Sequence, residues 1–237
     1  ENGLRITNVG SFSISSSSIS NNWASGLYIQ DTDSITISDN TFTENDWSAI
    51  RQINGLSSTI NNNIFSSNQN NSQNNSNSGG AIYTDMPEVQ ILSNEFEDNV
   101  ATYGGAIYIN SDSPYVYDNL LSNNNSHLSG GAIYIGGSDS PVIKYNTITG
   151  DISNNNEGGA VFIANTGSSR TVINENILSG HYGHAVFGDP DALMYNNITG
   201  SMDTDGNPGF SLRKTNLTDI VGTADQNWWG TTSNANI

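Results

Sequence analysis

Four times the chain carries one five-residue pattern: Gly79-Gly80-Ala81-Ile82-Tyr83, Gly104-Gly105-Ala106-Ile107-Tyr108, Gly130-Gly131-Ala132-Ile133-Tyr134 and Gly158-Gly159-Ala160-Val161-Phe162. The starts lie 25, 26 and 28 residues apart. A period of that size marks a repeat architecture, in which one unit cannot bury its own hydrophobic face and must stack on its neighbours. Each copy opens a short β-branched or aromatic strand. A second strand ends in an Asn-centred turn and a short apolar step, as in Asn40-Thr41-Phe42, Asn63-Ile64-Phe65, Asn94-Glu95-Phe96, Asn119-Leu120-Leu121, Asn146-Thr147-Ile148 and Asn176-Ile177-Leu178. Between the two lies a variable segment, often Ser-Pro, as at Ser113-Pro114 and Ser140-Pro141. No window holds a sustained helical period.

Three short strands per repeat, without helices, predict an all-β, single-domain right-handed parallel β-helix of about eight coils with atypical capping ends. A sandwich would pair its strands in antiparallel hairpins and would not return at a fixed period. At roughly 4.8 Å per coil, eight coils make a rod on the order of 40 Å long. Residues 1–22 are expected to be an N-terminal cap or first coil, 23–200 the repeats, and 201–237 a C-terminal cap segment. The polar run 69–77 reads as a loop insertion at a corner, where extra length costs little. Gly26-Leu27-Tyr28-Ile29, Ser48-Ala49-Ile50 and Gly183-His184-Ala185-Val186-Phe187 read as degenerate copies of the motif.

The motif residues have expected places. The Gly pair belongs at a corner that needs positive φ and close coil contact. Asn at the second corner is expected both to adopt the left-handed conformation and to bond its copy one coil away. Phe42, Phe65 and Phe96 should stack inside, continued by Leu121, Ile148, Leu178 and Ile198. By strand alternation from the inward Ile, Tyr83, Tyr108, Tyr134 and Phe162 should point outward in an aromatic row, which makes them the candidate ligand-binding residues.

Only 34% of residues are hydrophobic, and six basic residues against 23 acidic ones give a net charge of −17. Such a surface disfavours nucleic acid, which is bound through Lys and Arg, and anionic lipid. The absence of Cys rules out a disulfide scaffold. No apolar run approaches the ~20 residues that span a bilayer, so direct membrane insertion is not expected. Beginning at Glu1 without Met or an apolar leader, the chain reads as a mature or trimmed product.

The Gly-Gly-Ala-Ile motif combined with Phe-x-x-Asn, present as Phe42–Asn45, Phe65–Asn68 and Phe96–Asn99 and weakly as Leu121–Asn124, resembles the repeats of the polymorphic outer-membrane adhesins. The similarity covers roughly residues 23–200. Asn227-Trp228-Trp229-Gly230 is similar to a segment found late in many bacterial and archaeal β-helix surface proteins. The resemblance implies export and surface adhesion or a structural role. The chain departs from the adhesin pattern in having no autotransporter barrel and no Cys.

Polysaccharide-cleaving enzymes also use this fold, so their chemistry has to be sought. A lyase needs a positioned Lys or Arg base, but Arg5, Arg51, Lys144, Arg170, Arg213 and Lys214 do not pair on neighbouring coils. A hydrolase needs two facing carboxyl groups. Asp112 and Asp139 match in position, each one residue before Ser-Pro, and Asp33 holds the same slot, but Asx turns explain acids there equally. His181 and His184 lie near Asp189 and Asp191, with His184 in the Gly slot of the repeat. Asp203, Asp205 and Asn207 are the calcium candidates, without the distal Glu of an EF-hand loop, so no cofactor other than calcium is expected. Asn70, Asn74, Asn124, Asn197 and Asn216 are glycosylation candidates in Asn-x-Ser/Thr sequons. Trp228 and Trp229 fit a cover over the open end better than a sugar platform.

The expected function is a non-enzymatic, extracellular structural or adhesion module of a cell surface or filament. Its partners would be like subunits end to end, or glycans and other groups of a host surface. The alternative is a polysaccharide-binding or polysaccharide-cleaving β-helix protein.

Overall fold

The computed structural model describes residues 1–70, 78–137, 140–164, 171–188, 190–202, 212–213 and 227–228. All paired strands are parallel and each pairs with its counterpart one repeat away, so the chain winds as a parallel β-helix. Three sheets of 15, 8 and 4 strands form its sides among the described residues. The Gly-Gly-Ala motif opens strands of the largest sheet, where Ile82, Ile107, Ile133 and Val161 fall in register. Leu27 and Ile50 extend that register toward the N-terminus and Val186 toward the C-terminus, so the degenerate copies occupy the motif's place.

The core follows from alternation. Phe42, Phe65 and Phe96 stack with centroids 5.1 and 4.8 Å apart, and Leu121, Ile148, Leu178 and Ile198 continue the column. Every member is fully buried. Two inner columns of Asn replace part of the missing hydrophobic content. In the first, Asn40, Asn63, Asn94, Asn119, Asn146, Asn176 and Asn196 each donate Nδ2–H to the Oδ1 of the next, the last accepting oxygen being that of Asn227, at 2.9–3.1 Å. The backbone N–H of each donates to the same oxygen. The second runs through Asn22, Asn45, Asn68, Asn99 and Asn124 and ends on Asp151. Buried amides are thus satisfied by their own copies, as burial in a low-dielectric interior requires.

The corner chemistry differs from expectation in one respect. The ladder Asn does not itself take the left-handed conformation; the residue before it does, as at Asp39, Asn62, Ser93, Asp118, Tyr145, Glu175 and Tyr195. Two tasks that one Asn was expected to combine fall to adjacent residues. In the Gly pair the first Gly supplies positive φ (Gly79, Gly104, Gly130, Gly158). The second allows close approach, since a Cβ on Gly105 would overlap the carbonyl oxygen of Gly131.

Strand lengths also differ. In two early coils the largest sheet holds continuous 12-residue strands, Leu27–Ser38 and Ile50–Asn61, where later coils have two short ones. Those early coils turn at Asp31 and Asn54 without losing pairing, whereas later coils turn through Pro87 or Pro114, which lack an N–H to donate. Residues 4–20 form a regular coil, paired with Leu27–Ser38 and Thr41–Thr43. Its inward residues Ile6, Phe12, Ile14 and Ile19 are only partly buried. Of the run 69–77, Gln69 and Asn70 lie in a strand of the smallest sheet, and residues 71–77 lie outside the described residues.

Candidate functional site

One outward register column runs along the largest sheet: Arg5, Tyr28, Arg51, Tyr83, Tyr108, Tyr134, Phe162 and Phe187. It contains all four residues of the expected aromatic row. From Tyr83 to Phe187 the rings stack nearly parallel, with centroids 5.3, 5.0, 4.9 and 5.1 Å apart. Coil spacing of about 4.8 Å imposes that distance on any outward aromatic that repeats. The guanidinium of Arg51 lies 4.0 Å from the Tyr83 centroid, and that of Arg5 lies 5.3 Å from Tyr28.

Stacking changes what this row offers. Ring faces are occupied by neighbouring rings, so the column presents ring edges, phenol hydroxyls and guanidinium groups. Burial pushes the Tyr134 hydroxyl up to about 12, helped by Tyr108, Tyr103 and Glu157. Tyr108 is raised by burial and then by Tyr83 and Tyr103. Tyr83 is raised by burial against the opposing pull of Arg51. These phenols therefore act as neutral hydrogen-bond groups rather than as nucleophiles or bases.

The strongest electrostatic anomaly is inside the coil. Asp151 takes the place of an Asn in the second ladder and accepts the backbone N–H and Nδ2–H of Asn124 at 2.7 and 2.9 Å. The next residue in that column, His181, places Nδ1 3.7 Å from Asp151 Oδ2, and both side chains are wholly buried. Burial pushes the carboxyl up to about 8 and the imidazole down to about 3. Asp151 was not anticipated from the sequence. Its signal is the Gly-Asp pair at 150–151, where earlier copies read Asp98-Asn99 and Asn123-Asn124.

The remaining candidates are dispersed. His181 thus meets Asp151 rather than Asp191, and Asp189 lies outside the described residues. His184 occupies the second-Gly slot, its backbone oxygen accepting from Gly159. Asp33 and Asp112 share an exposed column, but the register puts Leu56 and Pro87 between them, and Asp139 lies outside the described residues. Asp203, Asp205, Asn207, Asn74, Asn216 and Trp229 also lie outside them. Asn70 and Asn124 are buried, with amide nitrogens bonded to Ser48 Oγ and to Asp151. A glycan has no room at either, so those two sequons are corrected to structural roles. Asn197 is exposed on the outer side of the 8-stranded sheet. Trp228 extends the stack through a bridge to Asn197 and is 52% exposed.

Two further residues escaped sequence reasoning. Trp23 and Trp47 are 83% and 43% exposed, unusual for so large an apolar surface. Trp23 follows the second-ladder residue Asn22 by one position and Trp47 follows Asn45 by two, so they do not share a register position and no repeat signal marks them.

A family model described as the right handed beta helix region matches residues 2–177. No curated protein and no solved structure matches the chain. With parallel strands stacked coil on coil over the matched span, the chain belongs to the right-handed β-helix family.

Proposed function

We propose that the protein is a non-enzymatic structural or adhesion module of a cell surface or filament, working outside the cell through its lateral face and its end-to-end contacts. The observation that carries this reading is where the recurring residues go. Asn, Phe, Gly and Tyr each stack on their own copies, so the repeat chemistry is spent on coil-to-coil contact. The two titratable groups with the largest shifts, Asp151 and His181, are sealed inside and cannot reach a polymer on the surface. The role needs no cofactor.

End-to-end contact is supported by the first coil. Its inward Ile6, Phe12, Ile14 and Ile19 are partly open, and parallel strand edges add further strands by backbone pairing. Head-to-tail contacts that do not close produce filaments. Negative-stain imaging and light scattering of the purified chain test this. Rods longer than one molecule, shortened by Phe12→Asp, are expected; strictly monomeric particles at all concentrations count against the filament version. A polysaccharide-binding reading is favoured by the exposed Trp23 and Trp47, and it concerns binding rather than cleavage.

A further inference from the structure

Four of the chain's ten tyrosines, Tyr83, Tyr103, Tyr108 and Tyr134, meet in one cluster. Tyr83, Tyr108 and Tyr134 stand on consecutive coils, with centroids 5.3 and 5.0 Å apart and rings within 3° and 8° of parallel. Tyr103 meets Tyr134 edge-on at 5.2 Å. All four are half-buried, so the rings are held by their neighbours yet remain open to small reagents. A tyrosine that loses an electron normally has to find its partner by diffusion. Here the next phenol already stands beside it, and a fixed approach of this kind turns a two-body encounter into a local step.

Charge along the column grades the three rings. The Arg51 guanidinium lies 4.0 Å from the Tyr83 centroid, and a cation on a ring face makes electron loss from that ring harder. The Asp85 charge acts on Tyr83 in the opposite sense and more weakly. Tyr134 feels the negative charge of Glu157, which favours electron loss. Beyond Tyr134 the column continues with Phe162, which has no phenol to oxidise. An electron vacancy is therefore driven away from Tyr83 and stopped at Phe162, which leaves Tyr108 and Tyr134. These two also make the closest tyrosine pair in the stack.

We propose that Tyr108 and Tyr134 form an oxidative coupling site, where a peroxide acting in one-electron steps joins them as a dityrosine between neighbouring coils. Each phenol gives up one electron and one proton and becomes a phenoxyl radical. Spin in such a radical lies partly on the ring carbons ortho to oxygen, and two of these carbons form one C–C bond. The hydrogens displaced at that bond pass through solvent to the two oxygens, which restores both rings and both hydroxyls. In sum, two phenols and one hydrogen peroxide give one dityrosine and two waters. The bridge closes the 26-residue interval between Tyr108 and Tyr134, which removes freedom from the unfolded chain and stabilises the coil pair. Coupling depends on the ring column alone, so it is independent of whether the rods assemble.

The test treats dilute purified chain with a haem peroxidase and limiting hydrogen peroxide. Blue dityrosine fluorescence follows the reaction, and mass spectrometry of the digested monomer maps the cross-linked peptides. A Tyr108–Tyr134 cross-link, lighter than the separate peptides by two hydrogens, is the expected main product. Tyr108→Phe keeps a ring in the stack but should lose this product, while Tyr115→Phe should retain it. Arg51→Gln should shift part of the yield to Tyr83–Tyr108, because the charge that protects Tyr83 is gone. Unchanged circular dichroism certifies the fold of each variant. The bridged chain should melt at a higher temperature than the untreated one, a gain absent in treated Tyr108→Phe. Tyr115 and Tyr117 provide the comparison, since their rings stack 5.4 Å apart on one strand rather than across coils. The proposal is overturned if coupling maps chiefly to Tyr115 and Tyr117 or only between molecules. It is overturned equally if tyrosines are oxidised singly without coupling, or if Arg51→Gln leaves the product distribution unchanged.

Discussion

Asp151 differs from its ladder neighbours by one group, an oxygen where they carry NH2. A neutral carboxyl restores the pattern: Oδ1 accepts from Asn124, and a protonated Oδ2 faces His181 Nδ1. Charge on either partner would be buried without full compensation, which is why the carboxyl is raised to about 8 and the imidazole lowered to about 3. The pair makes stability depend on pH with a definite sign. Between the folded value of His181, about 3, and the ordinary carboxyl value of 3.8, the unfolded chain holds one more proton and stability rises with pH. From 3.8 to 6.5 each state holds one proton, on Asp151 when folded and on His181 when unfolded, and the two effects cancel. From 6.5 to about 8 only the folded state holds a proton, so stability falls as pH rises. At about 1.4 kcal/mol per unit, the loss over that window is about 2 kcal/mol. Urea unfolding at pH 6 and pH 8.5 measures it, and Asp151→Asn should abolish this fall. A variant that retains the full loss would place its origin elsewhere.

At the level of the coil, the corners decide what is tolerated. Gly105→Ala places a methyl against the Gly131 carbonyl of the next coil, a backbone group that cannot swing away. Gly180 also has positive φ, but its nearest Cβ neighbour is 3.8 Å away, and equivalent corners hold Asn21 and Asn123 in the same conformation. Gly105→Ala should therefore cost more than about 2 kcal/mol while Gly180→Asn stays within about 0.5 kcal/mol. Thermal melting of the two variants checks the contrast; equal losses would remove the distinction between φ and close approach. The repeat made this coil legible: the Phe column, the Tyr row and the corner Gly pair all follow from identical residues returning at one period. Alternation then assigns Ile82 inward and Tyr83 outward without further information. The division of labour between Asp39 and Asn40 was not legible, because either residue suits a left-handed turn. Nor was the Arg51–Tyr83 contact, since Arg51 stands in a degenerate copy where only register aligns it with a tyrosine. Trp23 and Trp47 break the repeat rather than follow it, and periodicity says nothing about residues that occur only at one end.

Along the whole rod, each coil touches only its neighbours, so stability is close to a sum of coil and interface terms. The first Asn ladder continues to Asn227, but the second loses its amide chemistry at Asp151, His181 and Ser201. The C-terminal coils are therefore joined by one amide ladder where the central coils are joined by two. Buried polar groups compound the difference, since both nitrogens of His181 and Oδ2 of Asp151 lack a hydrogen-bond partner in the structure. Local opening should then begin on the C-terminal side, with Ile177–Ser179 and Asn197–Thr199 exchanging amide protons faster than Ile64–Ser66 and Glu95–Glu97. Replacing the pair by Asp151→Asn with His181→Asn extends the second ladder by two rungs. Hydrogen-exchange mass spectrometry should then show slower exchange at Thr147–Thr149 and Ile177–Ser179, with Thr41–Thr43 unchanged. Slowing of equal size in every coil would mean that the rod opens as one unit, and the nearest-neighbour account of its stability would have to be abandoned.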